Sequence, residues 1–389
     1  MLQLSEIERM LRRIRLMTEE GLEEDVLEQL DALHTEDPQM QKEIIYTRAW
    51  YYTQKRRWGE AFEQLSLLYD PHTIQDDWDE ASHTERERRA FYLVWLGKVA
   101  VNLSRYEDAS RHFTQCLAIL DLRRVHLPKI RIKALYGLAM TCIIAGLYAL
   151  AIQHYREALK VCAKEKLQDQ LKRDIADIHH GLTEAYRRTG EFEQARLNGY
   201  MALQMYEDDL HDRYNVCRMY NQLGSIAFNL GEHQVAAEHY MESLSLATLE
   251  NEVGMMMINF IAMADIRLAE MRLDEAQRYC DHALEVAQQK QDDHHMCGVV
   301  YLICGRVAFA KAKEAQGEQA CHLLQKTLDI YDEAEAHLLQ TQAPTPLSEL
   351  YGRRAEVYEA MNRPQEALAC WKSVFALSST PKKGTGWYE

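Results

Sequence analysis

Hydrophobic positions along this chain recur in a unit longer than one helix. Residues 222–244 read QLGSIAFNLGEHQVAAEHYMESL: helix-forming residues on both sides of a break at Gly231, with Ala236 and Ala237 early in the second half and Tyr240 after them. The same order returns in 179–202 (HHGLTEAYRRTGEFEQARLNGYMA), 135–158 (LYGLAMTCIIAGLYALAIQHYREA), 93–116 (LVWLGKVAVNLSRYEDASRHFTQC) and 260–283 (FIAMADIRLAEMRLDEAQRYCDHA). Each segment predicts a helix, a short turn and a second helix, with Ala near the start of the second and, in most copies, a bulky residue four later. The anchoring alanines are Ala61, Ala109, Ala151, Ala195, Ala236, Ala276, Ala320 and Ala367, separated by 48, 42, 44, 41, 40, 44 and 47 residues. A helical hairpin recurring at such a period predicts a solenoid. No run of alternating β-branched residues bounded by turn signals is found, so the expected class is all-α.

The pattern also explains its glycines. Gly inside a helix is about 1 kcal/mol less favourable than Ala. Gly224 is expected where the first helix approaches the second, and Gly231, Gly146 and Gly190 at turns that need positive φ. Ala236 and its equivalents are small because two helices cross there, and Tyr240, Tyr155 and Phe113 fill the space beside them.

The ends depart from the repeat. Leu4, Ile7, Leu11 and Ile14 form one apolar face and Leu22, Val26, Leu30 and Leu33 another, predicting two short helices that end near Asp37-Pro38. The expected organisation is a helical cap over 1–39, about eight hairpins over 40–378, and a flexible tail over 379–389. Trp387 and Tyr388 in that tail read as a frayed end or a docking segment. One charge-free segment, 134–155, has nearly the length of a membrane span. Gly137, Thr141, Gly146, Gln153 and His154 lower its apolarity, and Gly146 falls on a repeat turn, so no membrane association is expected.

Composition narrows the partners. The 389 residues carry a formal charge of −15, which disfavours direct nucleic-acid binding. The cluster Arg123, Arg124, Lys129, Arg131 and Lys133 reads as a solvated loop and helix start. Nine Cys with no CxxC, mostly in apolar helical stretches, fit a reducing compartment, and the charged N-terminus has no apolar signal core. A cytoplasmic location is the expectation.

The sequence carries no GxxxxGK[ST], GxGxxG, HExxH or GxSxG motif. Asp292-Asp293-His294-His295-Met296-Cys297 is the best metal candidate, yet consecutive residues on a turn rarely converge on one ion. Cys297 and Cys304 read as core. His179-His180 lies in a first helix without a nucleophile or carboxylate pair in register. No catalysis, metal or cofactor is expected.

The hairpins resemble the tetratricopeptide repeat family. The matching residues are Leu223, Gly224, Gly231, Ala236 and Tyr240 in one copy, Leu182, Tyr186, Gly190, Ala195 and Ala202 in another, and Leu138, Gly146, Ala151, Tyr155 and Ala158 in a third. The resemblance spans roughly 40–380. The period exceeds the family's usual 34, Arg56 and Met271 replace the turn Gly, Pro364 sits in the last turn, and the copy around Ala320 is stretched. Such long repeats are similar to those of bacterial peptide-sensing regulators and of the sensor domain of the maltose activator. The resemblance implies a right-handed superhelical solenoid whose first helices line a concave groove through positions 2, 5, 9, 12 and 13 of each repeat. Those positions give the candidate ligand-binding residues Lys133, Tyr136 and Met140, then His180, Glu184 and Arg187, then Asn221, Ser225, Phe228 and Asn229, and finally Asp265. Asn221 and Asn229 suit the main chain of an extended peptide, and Arg187 or Lys133 a carboxylate. The expected function is a non-catalytic scaffold or adaptor binding a protein or peptide. The alternatives are a regulator that closes on its ligand and a subunit of a larger assembly, with MMMINFIAM (255–263) as a contact.

Overall fold

The computed structural model describes residues 4–19, 26–68, 83–122, 125–290, 293–341 and 344–379. Among them there are helices and turns and no strand. The described chain divides into two compact units, one through Ala185 and one from Tyr186.

The first unit opens with α1 (Leu4–Glu19) and α2 (Val26–Asp31). Ile7, Leu11 and Ile14 of α1 and Val26 and Leu30 of α2 are buried in one cluster with Met40 and Ile44 of α3 (Pro38–Gln54). The described residues of the two apolar faces read from the sequence thus meet the first repeat, and Leu22 lies outside the described residues. Asp37 caps α3, its carboxylate accepting from the Met40 amide at 2.7 Å, and Pro38 occupies the first turn, where a missing N–H is tolerated. Hairpins follow as α3 with α4 (Trp58–Leu68), α5 (His83–Asn102) with α6 (Tyr106–Leu122), and α7 (Pro128–Ile144) with α8 (Tyr148–Lys164). Next comes α9 (Lys172–Thr189), which belongs to this unit as far as Ala185.

The second unit contains the end of α9 and α10 (Phe192–Gln204), then α11 (Arg213–Asn229) with α12 (His233–Leu249), and α13 (Val253–Ala269) with α14 (Leu273–Ala287). It closes with α15 (His294–Glu314) and α16 (Gly317–Thr341), then α17 (Pro344–Ala360) and α18 (Pro364–Ser379).

One turn geometry joins the two helices of a hairpin. At Gly231, φ is +79°, and the Glu232 amide donates back to the Ala227 carbonyl at 2.9 Å, a helix stop that satisfies an orphan carbonyl. Arg56, Ser104, Met271 and Asn362 hold the same place with φ between 54° and 59°, so the turn persists where Gly is absent. Pro364 does not lie in the turn proper: it starts α18.

Close packing sits where the small residues predicted it. A Cβ on Gly224 would lie 2.9 Å from the Tyr240 ring, and one on Gly97 or Gly137 would strike Phe113 at 2.6 Å or 2.2 Å. Seven of the eight anchoring alanines are buried. The exception corrects the register: Ala320 is half-buried, and the crossing in that hairpin lies lower, where Thr327 is fully buried and Tyr331 fills the space over Gly305. Twelve residues separate Gly305 from the turn at Gly317, against seven from Gly224 to Gly231, and fourteen separate Gly317 from Tyr331, against nine from Gly231 to Tyr240. Both helices are therefore taller by five residues, roughly 7 Å.

The charge-free segment 134–155 is split by the turn at Gly146 (φ +77°) between α7 and α8. Among the described residues, the helix long and apolar enough to span a membrane by composition is α15, and 61% of its apolar window is buried inside the protein. Eight cysteine thiols are buried and Cys321 is exposed.

Candidate functional site

The five face positions of each first helix fall in both units, and each unit is described by itself. In the first, Lys133 is exposed on α7, and Tyr136, Met140, His180 and Glu184 are half-buried. The Tyr136 ring centre lies 5.9 Å from that of Tyr155, the aromatic that fills the adjoining crossing. Surrounding protein lowers the Lys98 ammonium below the usual lysine range; Lys133 adds to the effect, and Asp174 and Asp177 oppose it. Charges on α5, α7 and α9 thus feel one another on this face. Lys98 holds the ninth position of its own repeat and is absent from the sequence-derived set only because the positions were carried into four repeats. Further toward α1, positions 2 and 5 of α3 (Glu43, Tyr46) and position 2 of α5 (Phe91) line a cavity of about 350 Å³ with Arg15, Tyr92 and Ile130.

In the second unit, Arg187, Asn221, Ser225, Phe228 and Asp265 are half-buried and Asn229 is exposed. Three of them gather around one phenol. Burial raises the Tyr240 hydroxyl well above the usual tyrosine range; a hydrogen bond with Ser225 and the charge of Arg187 oppose this, and Asp265 adds to it.

Both asparagines are less free than their positions implied. Asn221 donates from Nδ2 to Asn259 Oδ1 at 2.8 Å; Asn259, fully buried, donates to Ser243 Oγ at 2.9 Å; and Ser243 donates to the Cys217 carbonyl at 2.9 Å. This chain leaves Asn221 its amide oxygen and one N–H to offer. Asn229 returns its amide to the Ser225 carbonyl of its own helix at 2.7 Å. Phe228 stacks on His233, with ring centres 5.3 Å apart, at the start of α12.

Asp265 meets a residue the sequence reading missed. Its carboxylate lies 2.8 Å from Arg306 of α15, and burial still pushes the carboxyl up against that attraction. With the corrected register, Arg306 is position 9 of its repeat, as Asp265 is of its own, and Phe309 and Ala310 are positions 12 and 13. Those three residues, with Leu268 of α13 and Arg353 and Glu356 of α17, line a cavity of about 470 Å³. The signal that would have found them was Gly305: counting from the buried glycine rather than from Ala320 restores the positions.

Two residues of the metal candidate hold structural roles. Asp293 caps α15 by accepting from the Met296 amide at 3.1 Å, Cys297 is buried in the core, and Asp292 lies outside the described residues. Among the described residues no group of three His, Cys, Asp or Glu is placed to hold a metal ion. Arg123, Arg124, Trp387 and Tyr388 also lie outside them, so the basic loop and the tail are not described.

In the second unit the face is mixed, with amides, a paired ion and apolar side chains. It suits an extended ligand that offers both main-chain hydrogen bonds and apolar side chains.

A family model for the tetratricopeptide repeat matches residues 132–165 and 218–248. No curated protein sequence matches the chain. Solved structures share its fold along nearly the whole length. The apo form of the quorum sensor NprR from B. thuringiensis is 17% identical, with 96% of this chain and 99% of that one covered and a TM-score of 0.67. A Rap protein complexed with Competence and Sporulation Factor is 13% identical, covering 96% and 98%, with a TM-score of 0.61. NprR in complex with its cognate peptide NprX is 16% identical, covering 95% and 99%, with a TM-score of 0.52.

Proposed function

We propose that this all-α chain, which shares its fold with long-repeat regulators and matches the tetratricopeptide repeat model in two segments, binds a peptide, or an extended segment of a protein, on the face of its first helices. The observation that carries this reading is the 470 Å³ cavity, because positions 9, 12 and 13 of α15 converge there with Leu268 and Glu356, which hold face positions on α13 and α17. Counted in the corrected register, face positions of three first helices share this lining. The complexes of NprR with its cognate peptide NprX and of a Rap protein with Competence and Sporulation Factor support the same reading. Arg187, Asn221, Ser225, Phe228, Asn229 and Asp265 form the ligand face of the second unit, and Lys133, Tyr136, Met140, His180 and Glu184 that of the first. The role is a binding and regulatory one rather than catalytic, since the charged side chains described here pair with one another instead of activating a nucleophile. Eight buried thiols accord with a cytoplasmic location.

The test is a display selection of random heptapeptides on the full chain, followed by titration calorimetry with the enriched peptides. We expect binding that weakens at least about tenfold, some 1.4 kcal/mol, in Arg306→Glu/Phe309→Ala and is unchanged in Met241→Ser, an exposed residue of α12. Peptides that bind the double variant as well as wild type would move the site off this face.

A further inference from the structure

In the first unit, α5 links an aromatic cavity to a pair of lysines. Phe91, at position 2 of its repeat, is followed on that helix by Trp95 and by Lys98 at position 9. The Phe91 ring centre lies 5.3 Å from that of Tyr46 on α3 and 6.4 Å from that of Trp95, and the Lys98 ammonium lies 4.9 Å from the centre of the Trp95 ring. At one end of this run, Tyr46, Phe91, Tyr92, Leu127 and Ile130 form the apolar wall of the 350 Å³ cavity. That volume is near the lower limit of ligand pockets and suits one bulky side chain. The charges on its rim are already engaged: Arg15 pairs with Glu43 at 3.0 Å and lies over the Tyr46 ring, Arg88 donates to Gln39, and Glu87 has a partner as well. At the other end stand two like charges. Lys98 and Lys133 are exposed, and among the described residues neither makes an ion pair. Of the charges acting on Lys98, Lys133 has a larger effect than either Asp174 or Asp177 of α9. Two neighbouring ammoniums of this kind favour an anion between them.

We propose that this part of the first unit recognises a two-point motif in an extended peptide: a bulky apolar side chain seated in the cavity beside Tyr46 and Phe91, and a carboxylate held between Lys98 and Lys133. The motif rests on the peptide-binding function proposed above and specifies what the peptide carries. Its spacing follows from the helices. Lys133 stands three residues after Ile130 on α7 and Lys98 seven after Phe91 on α5, rises of roughly 5 Å and 10 Å. An extended chain advances about 3.3 Å per residue, so the acid lies about two to three residues from the docked side chain. The carboxylate belongs either to an Asp or Glu side chain or to the peptide's C-terminus. Aromatic rings beside lysines also suit single-stranded nucleic acid, but a chain of net charge −15 disfavours it.

Titration calorimetry of the full chain with the heptapeptides enriched by display tests it. The enriched sequences are expected to share a bulky apolar residue and an acid at that spacing. Lys98→Gln/Lys133→Gln should weaken binding at least about tenfold, replacing the peptide's acid by its amide should do the same, and both changes together should cost no more than either alone. Ile130→Trp, which fills the cavity, should be coupled in the same way to replacing the peptide's apolar residue by Ala. Amidating the peptide's C-terminus distinguishes the two sources of carboxylate: binding weakens for a terminal one and holds for a side chain. Peptides that bind Lys98→Gln/Lys133→Gln like wild type but weaken in Arg306→Glu/Phe309→Ala overturn the motif and leave peptide binding standing. Peptides indifferent to both variants, or a selection that enriches none, overturn both. Losses that simply add overturn the motif, and so does an oligothymidylate of about twelve nucleotides that binds wild type more tightly than the peptides and is lost in the lysine variant.

Discussion

Gly224 and Gly231 stand seven residues apart and resist substitution for opposite reasons. Gly231 needs positive φ and has nothing within 4 Å of where a Cβ would be. Gly224 has ordinary helical φ, but a Cβ would lie 2.9 Å from Tyr240. Ala at 224 gains about 1 kcal/mol of helix propensity and loses about 1–3 kcal/mol to the overlap. Urea unfolding should therefore show Gly224→Ala destabilised by about 1 kcal/mol in the wild-type background and neutral or stabilised when Tyr240→Leu is also present. Gly231→Ala should lose about 1 kcal/mol in both backgrounds. The same loss for Gly224→Ala in both would mean that the ring is not what excludes a side chain. These positions were legible in the sequence because steric demand leaves a compositional mark. Asn259 was not, since nothing in its surroundings along the chain announces a buried amide that anchors Asn221.

At the scale of the helix, the position three after the anchoring alanine carries His112 on α6, His154 on α8 and His239 on α12. Burial lowers all three below the usual histidine range, His112 to about 4; Asp108 opposes the effect at His112, and Glu238 and Glu242 oppose it at His239. The fold thus holds them neutral, whereas the unfolded chain takes up protons near the ordinary value of about 6.5. The unfolded state then binds more protons, so stability is full above 6.5, falls as pH drops, and levels for His112 only near 4. Between pH 6.5 and 5, above most carboxylate titration, each contributes a slope of at most about 1.4 kcal/mol per pH unit, less for partial exposure. The triple variant His112→Gln/His154→Gln/His239→Gln should show a flatter urea-midpoint profile over that window; an unchanged slope would assign the acid sensitivity elsewhere. Register made this visible, and register also failed once. In α16 the sequence offers Ala320 at a plausible spacing, while the crossing residue is Thr327, a β-branched polar side chain that bonds the Leu323 carbonyl and carries no small-residue signal.

At the scale of the whole chain, the all-α class was legible, because a solenoid repeats its packing and each copy corroborates the next. The division after Ala185 was not: the anchors run through it from Ala151 to Ala195 at 44 residues, close to the 42 from Ala109 to Ala151 and the 41 from Ala195 to Ala236, so local spacing carries no trace of a boundary. Net charge is the remaining global quantity, with 60 acids against 45 Lys and Arg. Salt acts on it in two opposed ways. It weakens exposed pairs such as Arg57 with Glu60 and Arg105 with Asp108, which water already screens. It also screens the mutual repulsion of fifteen excess negative charges. The pairs that matter more, Arg354 with Glu335 and Arg267 with Glu270, are largely shielded from solvent and respond less. Repulsion is therefore the larger salt-sensitive contribution. Raising NaCl from about 10 to 300 mM, which shortens the screening length from roughly 30 Å to under 8 Å, should raise the melting temperature by about 2–4 °C. A fall over the same range would show that surface ion pairs, rather than net charge, set the stability of this acidic solenoid.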